Sequence, residues 1–169
     1  MAESSLRAAR PERRRGLANA LFIVAAAEAP PAELCGLADE LTILFPWGSL
    51  LRGALAVDAQ AAAGIAALLR PGGRLTTFIS ITDRDVTAAG TPPLRQADAD
   101  VIADRWSAYG LHLVGFAPAT EEEVQASGSS WARRLRATDD RPVWRLELVA
   151  RAVERTVDHP RRHCDRLHR

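Results

Sequence analysis

Two tryptophans stand where they could bind a flat ligand. Trp47 lies in Phe45-Pro46-Trp47-Gly48-Ser49, directly after a short apolar run, and Trp131 follows Ser129-Ser130. Turn and loop residues of this kind usually lie at the surface, so neither ring has an obvious place in a core. Two such rings can sandwich a planar group, since stacking on an aromatic ring is worth about 1–3 kcal/mol per base. Ordinary packing of both rings under loops is the alternative that the residues leave open.

Arginine is concentrated around and after the second tryptophan. Residues 129–169 hold eleven arginines against six acidic residues, whereas residues 16–128 hold six against thirteen. Such asymmetry is typical of a surface for a polyanion, although solvated helices and tails give the same pattern. The candidate phosphate contacts are Arg133, Arg134, Arg136, Arg141 and Arg145.

Other catalytic patterns are missing from the sequence. No Gly-x-Gly-x-x-Gly follows a predicted strand, and Gly48 to Gly53 has phosphate-loop spacing but continues with Ala54-Leu55. Ser49 could act as a nucleophile only with a base, which no nearby pattern supplies. His159, His163, Cys164 and His168 lie in the charged end of the chain, so we predict no metal site.

Hydrophobic periodicity predicts an alternation of strands and helices. The predicted strands are 19–24, 41–45, 74–82, 111–116 and 143–150, and the predicted helices are 32–37, 54–69 and 97–109. Residues 83–94 form a predicted loop and residues 118–141 a long linker. Trp106 and Trp144 follow the helix and strand patterns, so packing is expected for both.

This order favours an α/β fold with a mostly parallel sheet and helices on both faces. The last two strands lack a full crossover helix, so we predict an antiparallel hairpin with an antiparallel C-terminal edge strand. The length suits one domain, placed at 1–150, with a charged tail at 151–169. No apolar run approaches the ~18 residues that span a membrane. The N-terminus lacks the features of a secretory signal, which predicts a cytoplasmic protein without a membrane partner.

The segments Phe45 to Gly53 and Ser130 to Leu135 together resemble the aminoglycoside-resistance methyltransferases that modify N1 of adenine 1408 in 16S ribosomal RNA. Ala25 to Glu28 fits the same family, and the resemblance runs from about residue 10 to residue 150. It implies a class I, Rossmann-like fold that uses S-adenosylmethionine. It also implies the 16S rRNA of the 30S subunit as partner, with no metal.

The resemblance implies a role for each site residue. The target adenine is flipped out of the RNA and stacked between Trp47 and Trp131. Catalysis is then the positioning of adenine N1 against the methyl-sulfonium, without a strong general base. The implied cofactor-binding residues are Ala27, Glu28, Leu44, Phe45, Pro46, Trp47, Gly48, Ser49, Ser129, Ser130 and Trp131. The implied RNA-binding residues are Arg133, Arg134, Arg136 and Arg141.

The chain departs from the family's pattern at its beginning. The family starts with a strand, a Gly-rich cofactor loop with an aspartate, a helix and a second strand ending in an acid, and Met1 falls after them. The resemblance therefore implies an N-terminally truncated fold: a fragment, a misplaced start or a degenerate homologue. We expect unpaired strand edges and weak or absent binding of S-adenosylmethionine by these 169 residues. The alternatives are a non-catalytic RNA- or partner-binding remnant and a small-molecule methyltransferase on the same fold.

Overall fold

A computed structural model describes residue 17 and residues 19–134 and 141–152. Its strands are β1 (Ala38–Leu44), β2 (Leu69–Ile79), β3 (Leu111–Pro118) and β4 (Trp144–Ala150). Its helices are α1 (Gly48–Ala54), α2 (Ala59–Leu68), α3 (Val86–Ala89), α4 (Ala99–Ser107), α5 (Glu121–Ala126) and α6 (Ser130–Arg134). The predicted charged tail lies outside the described residues from residue 153 onward.

The four strands form one sheet in the order β1-β2-β4-β3. β1 and β2 are parallel, and β4 runs antiparallel to both β2 and β3, which confirms the predicted antiparallel pairing of the last two strands. The predicted edge position of the last strand is wrong, because β4 lies between β2 and β3. The connection from β2 to β3 leaves one strand position open between them, and β4 fills it as the antiparallel partner of both strands. The strand with the fully buried Leu146 and Leu148 is thereby placed inside, and β3, with exposed His112 and Val114, takes the edge.

The predicted strand at 19–24 is not formed. Leu21 and Val24 are 80% and 81% exposed, and the segment pairs with no strand among the described residues. A continuous apolar run forms a buried strand only where neighbouring strands accept its backbone hydrogen bonds. The described part of the chain offers it none, and the edge of β1 away from β2 is likewise without a strand.

Two of the predicted helices differ from the structure. The helix predicted at 54–69 begins only at Ala59, as α2, because the Asp58 carboxylate accepts a hydrogen bond from the Ala61 amide at 3.1 Å and caps its start. The sequence does not predict the separate helix α1, Gly48–Ala54, which ends where the predicted helix begins. Ala56, with φ of 51°, turns the chain between them. Residues 32–37 form only a short 3-10 turn, Ala32–Leu34, which ends before Gly36 at φ 69°.

Helices cover both faces of the sheet, as the alternation predicts. On one face, α1, α2 and α4 pack on β2 and β4 through the fully buried Leu51 and Trp106, together with Ile65 at 2% exposure. The Trp106 indole donates to the Ala54 carbonyl at 3.1 Å and ties α4 to α1. On the other face, α5 and α6 cover Phe78 and Val143. Packing is also confirmed for Trp144, whose ring stacks on Phe116 with centroids 4.6 Å apart.

A close backbone contact holds the segment before β1 against α2. At Gly64, an added Cβ would lie 1.8 Å from the Ala27 carbonyl oxygen and 3.1 Å from the Pro30 ring. Only glycine leaves room for this approach. The contact fixes where residues 27–30 lie beside the helix.

We expect Gly64→Ala to destabilise the protein by roughly 1–3 kcal/mol, because the new methyl group forces the two backbones apart. The same change in an open helix position stabilises by about 1 kcal/mol, so the sign of the effect is decisive. Urea unfolding followed by circular dichroism measures it. Gln60→Ala, at an exposed position of α2, is the matched control, and equal rises in both midpoints would contradict the contact.

Candidate functional site

The turn after β1 presents Trp47 to solvent. The Phe45 amide donates to the Phe78 carbonyl at 2.8 Å, and Phe45 has a φ of 49°, a left-handed conformation that few side chains adopt. Such strain is of order 1–3 kcal/mol and concentrates at functional sites. Pro46 is buried. Trp47, the residue that precedes α1, is 47% exposed. The turn thus holds an aromatic ring outward at the carboxyl end of a parallel strand, where open α/β sheets bind ligands.

The linker presents the second ring from helices that pack on the sheet. Val124 of α5 and Ala132 of α6 are buried with Phe78 and Val143 in a small apolar cluster. The Ser129 hydroxyl accepts a hydrogen bond from the Ala132 amide at 3.3 Å, which caps the start of α6. Trp131, one residue before Ala132, is 56% exposed. The linker predicted at 118–141 therefore has its own structure where it carries this tryptophan.

Both tryptophans line one pocket of about 380 Å³. Its walls are Phe45, Pro46, Trp47, Ser80, Asp85, Trp131 and Arg141. Two partly exposed aromatic rings and one ion pair around a cavity of this size suit a flat, mostly apolar ligand with polar edges. Residues 84 positions apart in the sequence are thus brought to one site.

Arg141 lies in the pocket wall and is paired there. Its guanidinium donates to the Asp85 carboxylate and, through Nε, to the Ser80 hydroxyl at 3.4 Å. The Asp85 oxygen that accepts from Arg141 also accepts from the Thr82 amide at 2.9 Å and the Thr82 hydroxyl at 2.8 Å. Burial alone would raise the pKa of Asp85, but the Thr82 hydrogen bonds and the Arg141 charge outweigh it and hold the pKa below 3.8.

The sequence predicts no role for Ser80 or Asp85. Ser80 falls in the predicted strand at 74–82 and Asp85 in the predicted loop at 83–94. A signal was present: Thr82-Asp83-Arg84-Asp85 is a turn with carboxylates that follows a strand directly. The carboxyl end of a strand is where such side chains meet a ligand. Only the fold, however, brings this turn against Arg141.

The implied cofactor residues divide into two groups. Phe45, Pro46, Trp47 and Trp131 line the pocket, whereas the others are not part of its lining: Ala27, Glu28, Leu44, Gly48, Ser49, Ser129 and Ser130. Within the second group, hydrogen bonding with the Ser49 hydroxyl lowers the pKa of Glu28. Glu28 therefore lies near the first turn of α1.

The remaining arginines take different places. Arg145 donates to Glu123 at 2.6 Å and forms an ion pair with Glu147 at 3.4 Å, so its charge is already balanced by acids. The side chains of Arg133 and Arg134, and all of Arg136, lie outside the described part of the chain. Their predicted contacts with RNA phosphates stay predictions.

Within the described residues, no group of three or more His, Cys, Asp or Glu side chains is arranged to hold a metal ion. In the same residues no single helix has the length and hydrophobicity to cross a membrane. The bent pair of α1 and α2 would pass that test only by length and composition.

The Asp85 pair predicts a stability difference that depends on pH. Because its pKa is lower in the folded chain, the charged carboxylate stabilises the fold above pH 3.8, and this contribution disappears as the pH falls through the folded pKa. Asp85→Asn should therefore cost roughly 1–2 kcal/mol at neutral pH and progressively less in acid. Urea unfolding at several pH values measures the difference. Asp83→Asn, at an exposed position of the same turn, is the control, and a cost for Asp85→Asn that does not change with pH would contradict the assignment.

Comparisons with known proteins identify the family of the chain. The NpmA family, described as 16S rRNA (adenine(1408)-N(1))-methyltransferase, matches residues 1–150. The 16S rRNA (adenine(1408)-N(1))-methyltransferase of Streptoalloteichus tenebrarius is 34% identical over 146 residues, which cover 83% of this chain and 66% of that relative. An rRNA methyltransferase of Saccharopolyspora hirsuta is 35% identical over 138 residues, covering 79% of this chain and 88% of the relative. The chain thus spans just under two thirds of the length of the first of these relatives.

A solved structure with the same architecture is the 16S rRNA (adenine(1408)-N(1))-methyltransferase from Catenulisporales acidiphilia with its cosubstrate SAM. It matches 93% of this chain and 73% of its own length, with a TM-score of 0.78 and 30% sequence identity. The sheet of four strands with helices on both faces therefore has the class I methyltransferase fold. The chain belongs to the NpmA family of 16S rRNA (adenine(1408)-N(1))-methyltransferases.

Proposed function

We propose that this chain provides the target-base pocket of a 16S rRNA (adenine(1408)-N(1))-methyltransferase that confers aminoglycoside resistance. The observation that carries the proposal is that Trp47 and Trp131, both about half exposed, line one pocket with a paired arginine in its wall. Its substrate is the 16S rRNA of the 30S subunit in the cytoplasm. Adenine 1408 leaves the RNA stack and enters between the two rings.

Stacking provides the free energy that base extrusion requires. Flipping a base costs a few kcal/mol, and each aromatic contact returns about 1–3 kcal/mol per base. Rings from two separate elements can enclose both faces of the base. Adenine N1 is thereby held in the pocket while the rest of the RNA stays outside.

The polar wall gives the pocket an orientation. Arg141 is tied to Asp85 and Ser80, so its guanidinium has a fixed direction before RNA arrives. We assign Arg141, together with Arg133, Arg134 and Arg136, to the phosphates that flank the flipped nucleotide. A bidentate guanidinium fits phosphate oxygens better than a single ammonium group does.

The residues near Glu28 fit a cofactor beside this pocket. The effect of the Ser49 hydroxyl on the pKa of Glu28 supports assigning Ala27 and Glu28 to the adenine side and residues 44–49 to the methionine end of the cofactor. Ser129 and Ser130 order the linker over the site. When bound, S-adenosylmethionine supplies an electrophilic methyl group. The chain's own part is to hold N1 in line and to exclude water, an effect of positioning rather than of general-base catalysis.

The pocket can be tested with a hairpin of the 16S decoding site that carries 2-aminopurine in place of the target adenine. This base changes its fluorescence strongly when it leaves the RNA stack and stacks on tryptophan. We expect a saturable change with the wild-type chain. We also expect a loss of affinity of roughly tenfold or more in Trp47→Ala and in Trp131→Ala.

Two variants control this experiment. Trp47→Phe keeps an aromatic ring and should retain most of the signal. Val101→Ala removes an exposed apolar side chain of α4 outside the pocket lining and should change nothing. Salt-dependent hairpin binding without a fluorescence change, equal in all variants, would favour the non-catalytic RNA-binding alternative and contradict the base pocket.

A further inference from the structure

We propose that Glu123 and Arg145 act as a positioning pair that sets where Trp131 stands in the pocket. The pair joins the first turn of α5 to β4: Arg145 Nη1 donates to Glu123 Oε1 at 2.6 Å, across 22 residues of sequence. Arg145 Nη2 also lies 3.4 Å from Glu147 Oε2, which fixes the guanidinium on the sheet. The inference rests on the proposed function of Trp131, but the geometry of the pair does not.

Glu123 uses both of its carboxylate oxygens. While Oε1 accepts from Arg145, Oε2 accepts from the Thr120 amide at 2.8 Å, and the Thr120 hydroxyl accepts from the Glu123 amide at 3.2 Å. This reciprocal cap defines the residue at which α5 begins. One side chain therefore decides both where the helix starts and which part of the sheet it faces.

Hydrogen bonds between residues close in sequence connect α5 to the start of α6, which contains Trp131. The Ser127 hydroxyl donates to the Val124 carbonyl at 2.6 Å and accepts from the Ser129 amide at 3.3 Å. The Ser129 hydroxyl in turn accepts from the Ala132 amide at 3.3 Å. The hydroxyls of Ser127 and Ser129 thus hold the backbone between α5 and α6 through hydrogen bonds, and Val124 is buried beneath it.

This role differs from the phosphate contact that the sequence suggested for Arg145. Both of its terminal nitrogens lie on carboxylates, and its side chain is 33% exposed. An ion pair this exposed contributes little to global stability. We expect the pair to affect the position of Trp131 instead, because a displacement of ~1 Å at a site can lower binding or rate by a large factor.

The position of Trp131 can be followed without RNA or cofactor. In protein labelled with 5-fluorotryptophan, the fluorine resonances of Trp47 and Trp131 are assigned with Trp47→Phe and Trp131→Phe. We expect Glu123→Gln to shift or broaden the Trp131 line and to leave the Trp106 and Trp144 lines unchanged. This variant preserves the helix cap, since glutamine serves in the same motif, and it removes only the charge that faces Arg145.

A double-variant cycle gives the decisive comparison. Glu123→Gln and Arg145→Gln should each displace the Trp131 line, and the double variant should displace it no further than the larger of the two, because both changes remove the same ion pair. Glu122→Gln, at an exposed position of the same turn of α5, is the matched control. A Trp131 line that is identical to wild type in both single variants, or displacements that simply add in the double variant, would overturn the proposal.

The hairpin with 2-aminopurine separates this inference from the proposed function. If the function is right, the Glu123→Gln and Arg145→Gln variants should each weaken hairpin binding by up to roughly fivefold, in proportion to the displacement of Trp131, and the double variant should weaken it no further. A wild-type chain without any fluorescence response would contradict the base pocket, while the fluorine spectra would still decide whether Glu123 and Arg145 position the ring.

Discussion

Phe78 supports both the turn that carries Trp47 and the helix that carries Trp131. Its carbonyl accepts the Phe45 amide at 2.8 Å and so holds the turn that carries Trp47. Its side chain, on the face of β2 opposite the main core, is covered by Val124 and Ala132 of the helices that carry Trp131. One β2 residue thus supports both rings, the first through the backbone and the second through apolar packing. The sheet therefore supports both segments that carry the tryptophans.

The ion pair beside the rings determines what the pocket accepts. Arg141 and Asp85 neutralise each other in a wall that is mostly buried, with side chains 21% and 17% exposed. A pocket with balanced charge favours a neutral flat group, since an unpaired charge would have to give up its water there. Under the proposed function, RNA phosphates would reach Arg141 only at its outer side or in competition with Asp85, and base contacts and backbone contacts would be separated in space.

The sequence predicts those features that depend on local pattern. The turn at Phe45 to Ser49, the strands around it and the exposure of both tryptophans follow from residue types that no core pattern explains, and the structure has them. What it misses depends on partners far away in the chain. The run at 19–24 is apolar enough for a strand, yet a strand forms only with a neighbour. Asp85 has the pattern of an ordinary turn residue, and its partner Arg141 lies 56 positions later in the sequence.

The stretch Phe45 to Ser49 joins the pocket to the segment around Glu28. Trp47 lines the pocket, whereas hydrogen bonding with the Ser49 hydroxyl lowers the pKa of Glu28. Phe45 at φ 49° and Gly48 at φ 60° define the course of the backbone from β1 into α1 and so where both side chains begin. A base held by Trp47 and a cofactor held near Glu28 would therefore keep a fixed mutual position, which is the condition that a transfer by positioning requires.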